Sequence, residues 1–420
     1  MFISRVMALL LLAAVPAHAA EQDYDDCNRA LPDKRIAACT RIIEDAKEET
    51  RNRGHAYFGR AIGYNRKGDA DRAIADFNEA IRIMPSYTPA YVNRGSVFLN
   101  RSDFDRALAD FNQALKIDPE NALAYYYRGW LYSQTEDHTR SIADFNEAIR
   151  RDPSNAHFLT WRGNEYRYSD RLEEALADYN EAIRHNPKYA AAYHGRASLS
   201  LGRQDTEAAL ADANTLLRLE PNDPFAFNLR GDVYRASGKF DLAIADYNEA
   251  IRMLPGRYYF HNDRAAAFEG QRDFDRAIAD YGESIRLNAD VPYAYANRAR
   301  LYLDRKDYDR AIPDLTQIIR LAPTYFAHTD RADAYMAKGE FDLAIADYTE
   351  AIRLHPGFGL HYQSRGLAYR AKGDKEHAIA DFKQAIELDQ LGSKASRDAL
   401  VELVGEAGLP PRKSMLEMLK

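Results

Sequence analysis

Residues 88–121 read TPAYVNRGSVFLNRSDFDRALADFNQALKIDPEN, and the recurrence of this stretch along the chain decides the fold. Tyr91, Gly95 and Phe98 fall at i, i+4 and i+7, one face of a helix. Asp103 then offers an N-cap. Beyond it Ala107, Phe111 and Ala114 repeat the same spacing on a second helix. Pro119 lies past the end of that helix, where a missing amide hydrogen does little harm. The unit is an antiparallel helix pair with a short turn.

Working outward, Arg94 has counterparts at Arg60, Arg128, Arg162, Arg196, Arg230, Arg264 and Arg298, then at Arg331 after a one-residue slip, then at Arg365. Thirteen residues after each stands a small residue, from Ala73 and Ala107 through Ser141 to Ala378. Residues 54–392 thus divide into ten copies: 54–87, 88–121, 122–155, 156–189, 190–223, 224–257, 258–291, 292–324, 325–358 and 359–392. A fixed period of this length is the mark of stacked repeats. Each repeat packs only on its neighbours, so 420 residues need no single core. Such stacks make extended surfaces rather than catalytic pockets.

Counting position 1 at Thr88, position 8 is Gly or Ala in every copy and position 20 is Ala or Ser. Aromatic rings flank them at position 11 (Tyr64, Phe98, Tyr132, Tyr166, Tyr234) and position 24 (Phe77, Phe111, Phe145, Tyr179, Tyr247). Small residues let the backbones approach, and the rings fill the space around the contact.

This pattern resembles the tetratricopeptide repeat: aromatic at 4, Gly or Ala at 8, Tyr at 11, Ala at 20, aromatic at 24, Ala at 27 and Pro at 32. The resemblance implies an all-α fold, a right-handed superhelical solenoid of ten helix hairpins with capping segments at both ends. It also implies that the first helices line a concave groove in which peptides or proteins bind. One departure is constant, because position 7, usually Leu in the family, is Arg throughout. The carboxylate-clamp subtype, with Lys at position 5 and Asn at position 9, is not supported, since no position 5 is Lys.

Position 23 is Asp in all ten copies. The residue four earlier is Arg in only half of them and elsewhere is Glu174, Ala208, Leu242, Leu343 or His377. A surface helix pair therefore does not account for the Asp, whereas the Arg at position 7 is always present. The expectation is a pair bridging the two helices of each repeat: Arg94 with Asp110, Arg128 with Asp144, Arg162 with Asp178. Such pairs specify register more than they add stability.

The ends differ in kind. Residues 1–20 hold Arg5, an apolar run from Val6 to Val15 and a small-x-small Ala17-His18-Ala19, which reads as a secretory signal peptide cleaved at 19/20. The run is too short to span a bilayer at about 20 residues per helix, and no later stretch is long enough either. A periplasmic or secreted protein is expected. The two cysteines, Cys27 and Cys39, follow closely, and in an exported chain an isolated pair is most simply a disulfide. Residues 21–53 read as a degenerate capping repeat, a worn half hairpin with Ile36, Cys39 and Ile43 on one face. At the other end, 393–420 reads as a capping helix carrying Ala399, Leu400, Leu403 and Val404, then a tail after Gly408, Pro410 and Pro411. Two repeats are expected to be soft: the eighth, 33 residues long with Pro313 inside its second helix, and the fifth, with Ser200 and Ala213 where rings usually stand.

Net charge is -7 with no basic run, which argues against nucleic acid as a ligand. None of the nucleophile-elbow, zinc or phosphate-loop motifs occurs, so no enzyme, cofactor or metal site is read. The groove is more informative. The resemblance puts positions 2, 5, 6, 9, 12 and 13 of each first helix on or near its wall. In repeats 3 and 4 these include Tyr126, Tyr127, Trp130, Trp161 and Tyr168, with Asn164 and Arg167 among them. In repeats 6 to 9 they read Asn228, Asp232, Arg235, Asn262, Asp263, Glu269, Asn297, Arg300 and Asp333. Interface anchors favour Trp, Tyr and Arg. The reading is a non-enzymatic exported scaffold holding a peptide or partner protein. The alternatives are a glycan-binding module and a regulatory subunit of a separate enzyme. The oligomeric state is not legible.

Overall fold

Among the residues described by the computed structural model, 21–388 and 394–405, every regular element is an α-helix, and there are 23. The expected leader at 1–20 and the tail with Gly408, Pro410 and Pro411 lie outside the described residues. The chain divides into two units at Arg203 and Gln204, inside the fifth repeat.

The second repeat illustrates the local logic. Its helices are Thr88–Asn100 and Phe104–Ile117. Ser102 has φ 58°, the left-handed region, and the amides of Ser102 and Asp103 reach back 2.9 Å to the carbonyls of Leu99 and Phe98. Those bonds satisfy two carbonyls that a helix end leaves open. Asp103 also caps the next helix, its carboxylate accepting the Arg106 amide. The left-handed residue recurs at position 15 in all ten copies, as Gly68, Gly238, Gly339 and Gly373 but also as Glu136, Asp170, Gln204, Arg272 and Lys306. Glycine adopts this conformation without penalty, whereas other residues are strained there.

The two helices meet at the small residues. A Cβ on Gly95 would sit 2.6 Å from the Phe111 ring, so the close approach requires glycine there. Phe111 is fully buried, as are Phe77, Phe145, Tyr179 and Tyr247 at the same position.

Arg128 grips Asp144 with two parallel hydrogen bonds, Nε to Oδ2 at 2.7 Å and Nη2 to Oδ1 at 2.8 Å. Arg94 holds Asp110 and Arg162 holds Asp178 in the same way. The geometry recurs at Arg60–Asp76 and, in the second unit, at Arg230–Asp246, Arg264–Asp280, Arg298–Asp314, Arg331–Asp347 and Arg365–Asp381. The third guanidinium nitrogen reaches into the preceding repeat. Arg128 Nη1 donates to Asn112 at 2.7 Å, Arg162 to Asn146 at 2.8 Å and Arg230 to Asn214 at 3.1 Å. Thr316 and Thr349 play that part for Arg331 and Arg365. One side chain thus ties both the two helices of a repeat and two successive repeats. The arginine at position 19 goes elsewhere: Arg106 and Arg140 pair with the N-cap carboxylates Asp103 and Asp137 and lie over the rings of Phe98 and Tyr132.

Before the first repeat stands a whole hairpin rather than half of one. Its helices, Glu21–Arg29 and Pro32–Glu44, are joined by a Cys27–Cys39 disulfide. At the other end, helix Lys394–Val404 covers the last repeat, with Ala399, Leu400 and Leu403 packed on Phe382 and Ile386. In the eighth repeat, helix Tyr308–Leu321 runs unbroken through Pro313. Within the first unit the first helices of successive repeats touch one another and the second helices do not come as close, so the first helices form the inner, more crowded wall.

Candidate partner-binding wall

Helix Ala122–Gln134 reads ALAYYYRGWLYSQ, and helix Ala156–Tyr168 beside it reads AHFLTWRGNEYRY. Both carry aromatic residues on the face opposite the Gly129 and Gly163 contacts as well as on it. That surplus of rings is what builds the patch.

Trp130 and Trp161, both half-buried, face each other across the repeat boundary with ring centroids 5.9 Å apart and planes at 48°. Tyr127, also half-buried, extends the strip at 6.4 Å from Trp130 and stacks on Phe111 at 5.9 Å. Tyr168 is 62% exposed and lies 6.1 Å from the His138 ring, with the Arg167 guanidinium 4.6 Å from the centre of the Tyr168 ring. The Nε of Arg167 is buried without a hydrogen-bond partner among the described residues. Asn164 faces inward as well as outward, its Oδ1 accepting the Tyr179 hydroxyl at 2.7 Å.

Tyr126 is the correction. Sequence position put it on the open wall, but it is 5% exposed, packed among Phe145, Phe158 and Tyr127. Position 5 sits where the wall turns into the seam between repeats, so a large ring there is drawn into the interior. Its hydroxyl meets Nε2 of His157 at 2.8 Å, and Nδ1 of the same imidazole meets the Tyr189 hydroxyl at 2.6 Å. Burial pushes the Tyr126 phenol up and the His157 imidazole down, so both are held neutral. His157 is therefore part of the support beneath the tryptophans, 6.3 Å from Trp161. Sequence reasoning passed over it, although position 2 is a wall position. Glu165 was passed over too: fully buried, it accepts from Ser133 at 2.6 Å and meets His138 Nδ1 at 2.9 Å, tying repeats 3 and 4 together.

In the second unit the wall positions carry a hydrogen-bonded network. The Asn228 amide donates to Asp232 and to Asp263, both at 3.2 Å. Asp232 also accepts the Tyr247 hydroxyl at 2.8 Å and meets Arg235 at 3.4 Å. Burial raises both carboxyls, and with Asp232 nearby Asp263 is pushed up to about 7. Glu269 accepts from Tyr281 and pairs with Arg300, and Asp333 takes the Tyr348 hydroxyl. Asn262 and Asn297 each keep one buried amide atom without a partner among the described residues. No group of three or more metal-ligating side chains occurs among the described residues.

The tetratricopeptide repeat family model matches residues 92–156, 194–258, 228–286, 262–326 and 329–393, and a second repeat model of the same family matches 163–200. No curated protein matches the chain. Among solved structures, a tetratricopeptide repeat protein from Parabacteroides merdae aligns at 20% identity and TM-score 0.49, over 60% of this chain and 98% of that one. Pseudomonas aeruginosa pilF aligns at 20% identity and TM-score 0.45, over 51% and 97%. Yeast Tom70 aligns at 15% identity and TM-score 0.44, over 90% and 92%. The chain belongs to the tetratricopeptide repeat family.

Proposed function

We propose that this repeat protein is an exported scaffold that holds an extended peptide or a partner protein against the inner wall of its first unit. The observation that carries the reading is the Trp130–Trp161 pair: the only two tryptophans of the chain, in adjacent repeats, 5.9 Å apart and still half-open. Rings that leave a face uncovered on a rigid helical frame are anchors of low entropic cost, and interface hot spots favour them. Tyr127 lengthens the apolar strip, while Asn164 and Arg167 supply polar groups at its edge. Export is supported by the signal-like leader and by a disulfide of the kind that persists in oxidising compartments. The absence of a catalytic motif in the sequence agrees with a binding role.

Affinity capture with the exported chain, followed by mass spectrometry, identifies the partner. The Trp130→Ala, Trp161→Ala double variant, checked for unchanged helix content, is then measured against it. Losing such anchors costs about 2–4 kcal/mol, roughly 30- to 1000-fold in affinity. Full-strength binding by the folded double variant would move the site away from this wall. Binding of envelope glycan fragments in place of protein would favour the sugar-binding alternative, since rings beside Asn and Arg also suit sugar faces.

A further inference from the structure

In nine of the ten repeats a large aromatic or aliphatic side chain at position 24 is buried in the hairpin; the fifth has Ala213 there. The N-terminal hairpin breaks this rule in a specific way. Ile36, Cys39 and Ile43 stand 38 residues before Ile74, Phe77 and Ile81, so Cys39 takes the place of the ring. It is bonded to Cys27, and the disulfide lies so close to the first repeat that a Cβ on Gly59 would sit 2.8 Å from the Cys27 sulfur. A disulfide is smaller than a phenyl ring. Beside it remains a cavity of about 320 Å³, bordered by Cys27, Ile42, Tyr24, Phe58, His55 and Tyr87.

That volume lies at the small end of ligand pockets, about 300–1000 Å³, and suits a side chain better than a cofactor. The lining is aromatic: Phe58 and Tyr87 meet edge to face at 5.2 Å, as do His55 and Tyr87 at 5.1 Å. Among the described residues no Asp, Glu, Lys or Arg borders the cavity. Burial and the nearby Arg51 hold the His55 imidazole below its usual pKa. The nearby Glu48 carboxylate is already taken up by the Tyr24 hydroxyl and the Asn52 amide, so a charged ligand would lose hydration there with no free partner in return. Asn28 and Asn52 stand at the border, and Asn28 is exposed. His55 and Phe58 hold positions 2 and 5 of the first repeat, the register that His157 and Tyr126 hold beneath the tryptophans of the same unit.

We propose that this cavity is a second anchor of the same wall, taking an uncharged aromatic side chain of the bound partner. This rests on the reading of the first unit's wall as the peptide-binding surface, yet it is testable without the partner. The full chain is labelled at isoleucine methyl groups and titrated with N-acetyl-L-tryptophanamide, with N-acetyl-L-lysinamide as the charged control. The Ile42 methyl signal is expected to shift and saturate with a Kd on the order of 1 mM, and to show proton contacts to the indole. The shift should persist in the Trp130→Ala, Trp161→Ala variant and weaken at least tenfold in Asn28→Trp, an exposed substitution placed to plug the mouth. Persistence in the double variant separates this site from the tryptophan strip, so either can fail alone. An unmoved Ile42, an equal response to the lysine probe, or contacts from Ile42 to residues before Glu21 would each overturn the proposal.

Discussion

The inner wall of the first unit and the corresponding positions of the second are built on one frame and carry opposite chemistry. Positions 6 and 9 hold Tyr127 and Trp130 in the third repeat and Trp161 at position 6 of the fourth. The same register holds Asp232 at position 9 of the sixth repeat and Asp263 at position 6 of the seventh. Beneath both, the bidentate Arg–Asp pairs are alike to within a few tenths of an ångström, as in Arg128–Asp144 and Arg230–Asp246. The frame fixes where a wall side chain stands and leaves open what it is. Divergence at these positions under an invariant frame therefore separates binding from architecture.

The sharpest way to break that comparison is to remove each wall in turn. Trp130→Ala with Trp161→Ala should weaken partner binding roughly 30- to 1000-fold. The mirrored Asp232→Asn with Asp263→Asn should change it by less than about threefold if the anchor is the tryptophan strip, as proposed. Calorimetric titration of both variants against the captured partner is the measurement. A larger loss from the aspartate pair would reverse the assignment of the two walls.

The frame itself should respond equally in both units. Asp144→Ala and Asp246→Ala each strand a mostly buried guanidinium, whose Arg side chains are only 21% and 24% exposed. Each should destabilise its unit by about 1–3 kcal/mol. Urea unfolding of the two variants checks this. A cost in one unit only would mean that the pairs serve different ends in the two halves.

How much of this was legible in the sequence follows from what each residue does. The fold was, because ten copies let a single pattern be read through local exceptions. The Arg–Asp pairs were, because Asp persists where its neighbour on the same helix is Leu242 or His377. The bond from the third guanidinium nitrogen to the preceding repeat was missed. Asn112, Asn146 and Asn214 look like ordinary exposed helix residues until the next repeat brings an arginine to them. The left-handed turn position was missed too, because Glu136 and Lys306 hide a conformation that Gly68 alone would have betrayed. At the wall, residue type was legible and depth was not: Tyr126 and Tyr127 are neighbours in sequence, but only one keeps an open face.

The acidic wall has its own signature in pH. An ordinary aspartate titrates near 3.8, and in the folded chain Asp263 is pushed up to about 7. Between those values the folded state holds a proton that the unfolded state has released, so stability falls as pH rises through the window. Asp263→Asn removes the effect. The variant should match the parent near pH 4, gain on it as pH rises to 7 by up to about 1.4 kcal/mol per pH unit, and stay ahead above that. Thermal unfolding at pH 5 and pH 8 reads the difference. A constant offset at both values would mean that Asp263 titrates normally. In the first unit burial raises Asp178 of a frame pair instead, and no such carboxylate pair stands among its described wall residues, so the slope there should be shallower.

The smallest effect concerns the one place where the frame itself falters. Arg298 holds Asp314 as its counterparts hold theirs, Nε to Oδ2 at 2.8 Å and Nη2 to Oδ1 at 2.7 Å. In the preceding repeat, however, position 25 is Gly282 instead of Asn or Thr, so the third guanidinium nitrogen has no acceptor side chain at that position. A Cβ at Gly282 would stand 3.4 Å from Nη1 of Arg298, the nearest atom, which leaves the room an asparagine needs. Gly282→Asn supplies the amide oxygen that Asn112 and Asn146 supply elsewhere, and it also replaces a glycine inside helix Phe274–Leu287. One net hydrogen bond contributes about 0.5–1.5 kcal/mol, and the helix gains a few tenths more. The junction lies next to the eighth repeat, which is short and carries Pro313, so it is where hydrogen exchange should be fastest in the second unit. The substitution should slow exchange in helices Phe274–Leu287 and Pro292–Asp304 and leave the wall and its ligands untouched. Unchanged exchange there would mean that the guanidinium bridge between repeats adds register but no measurable stability, which would narrow what the frame contributes in both units.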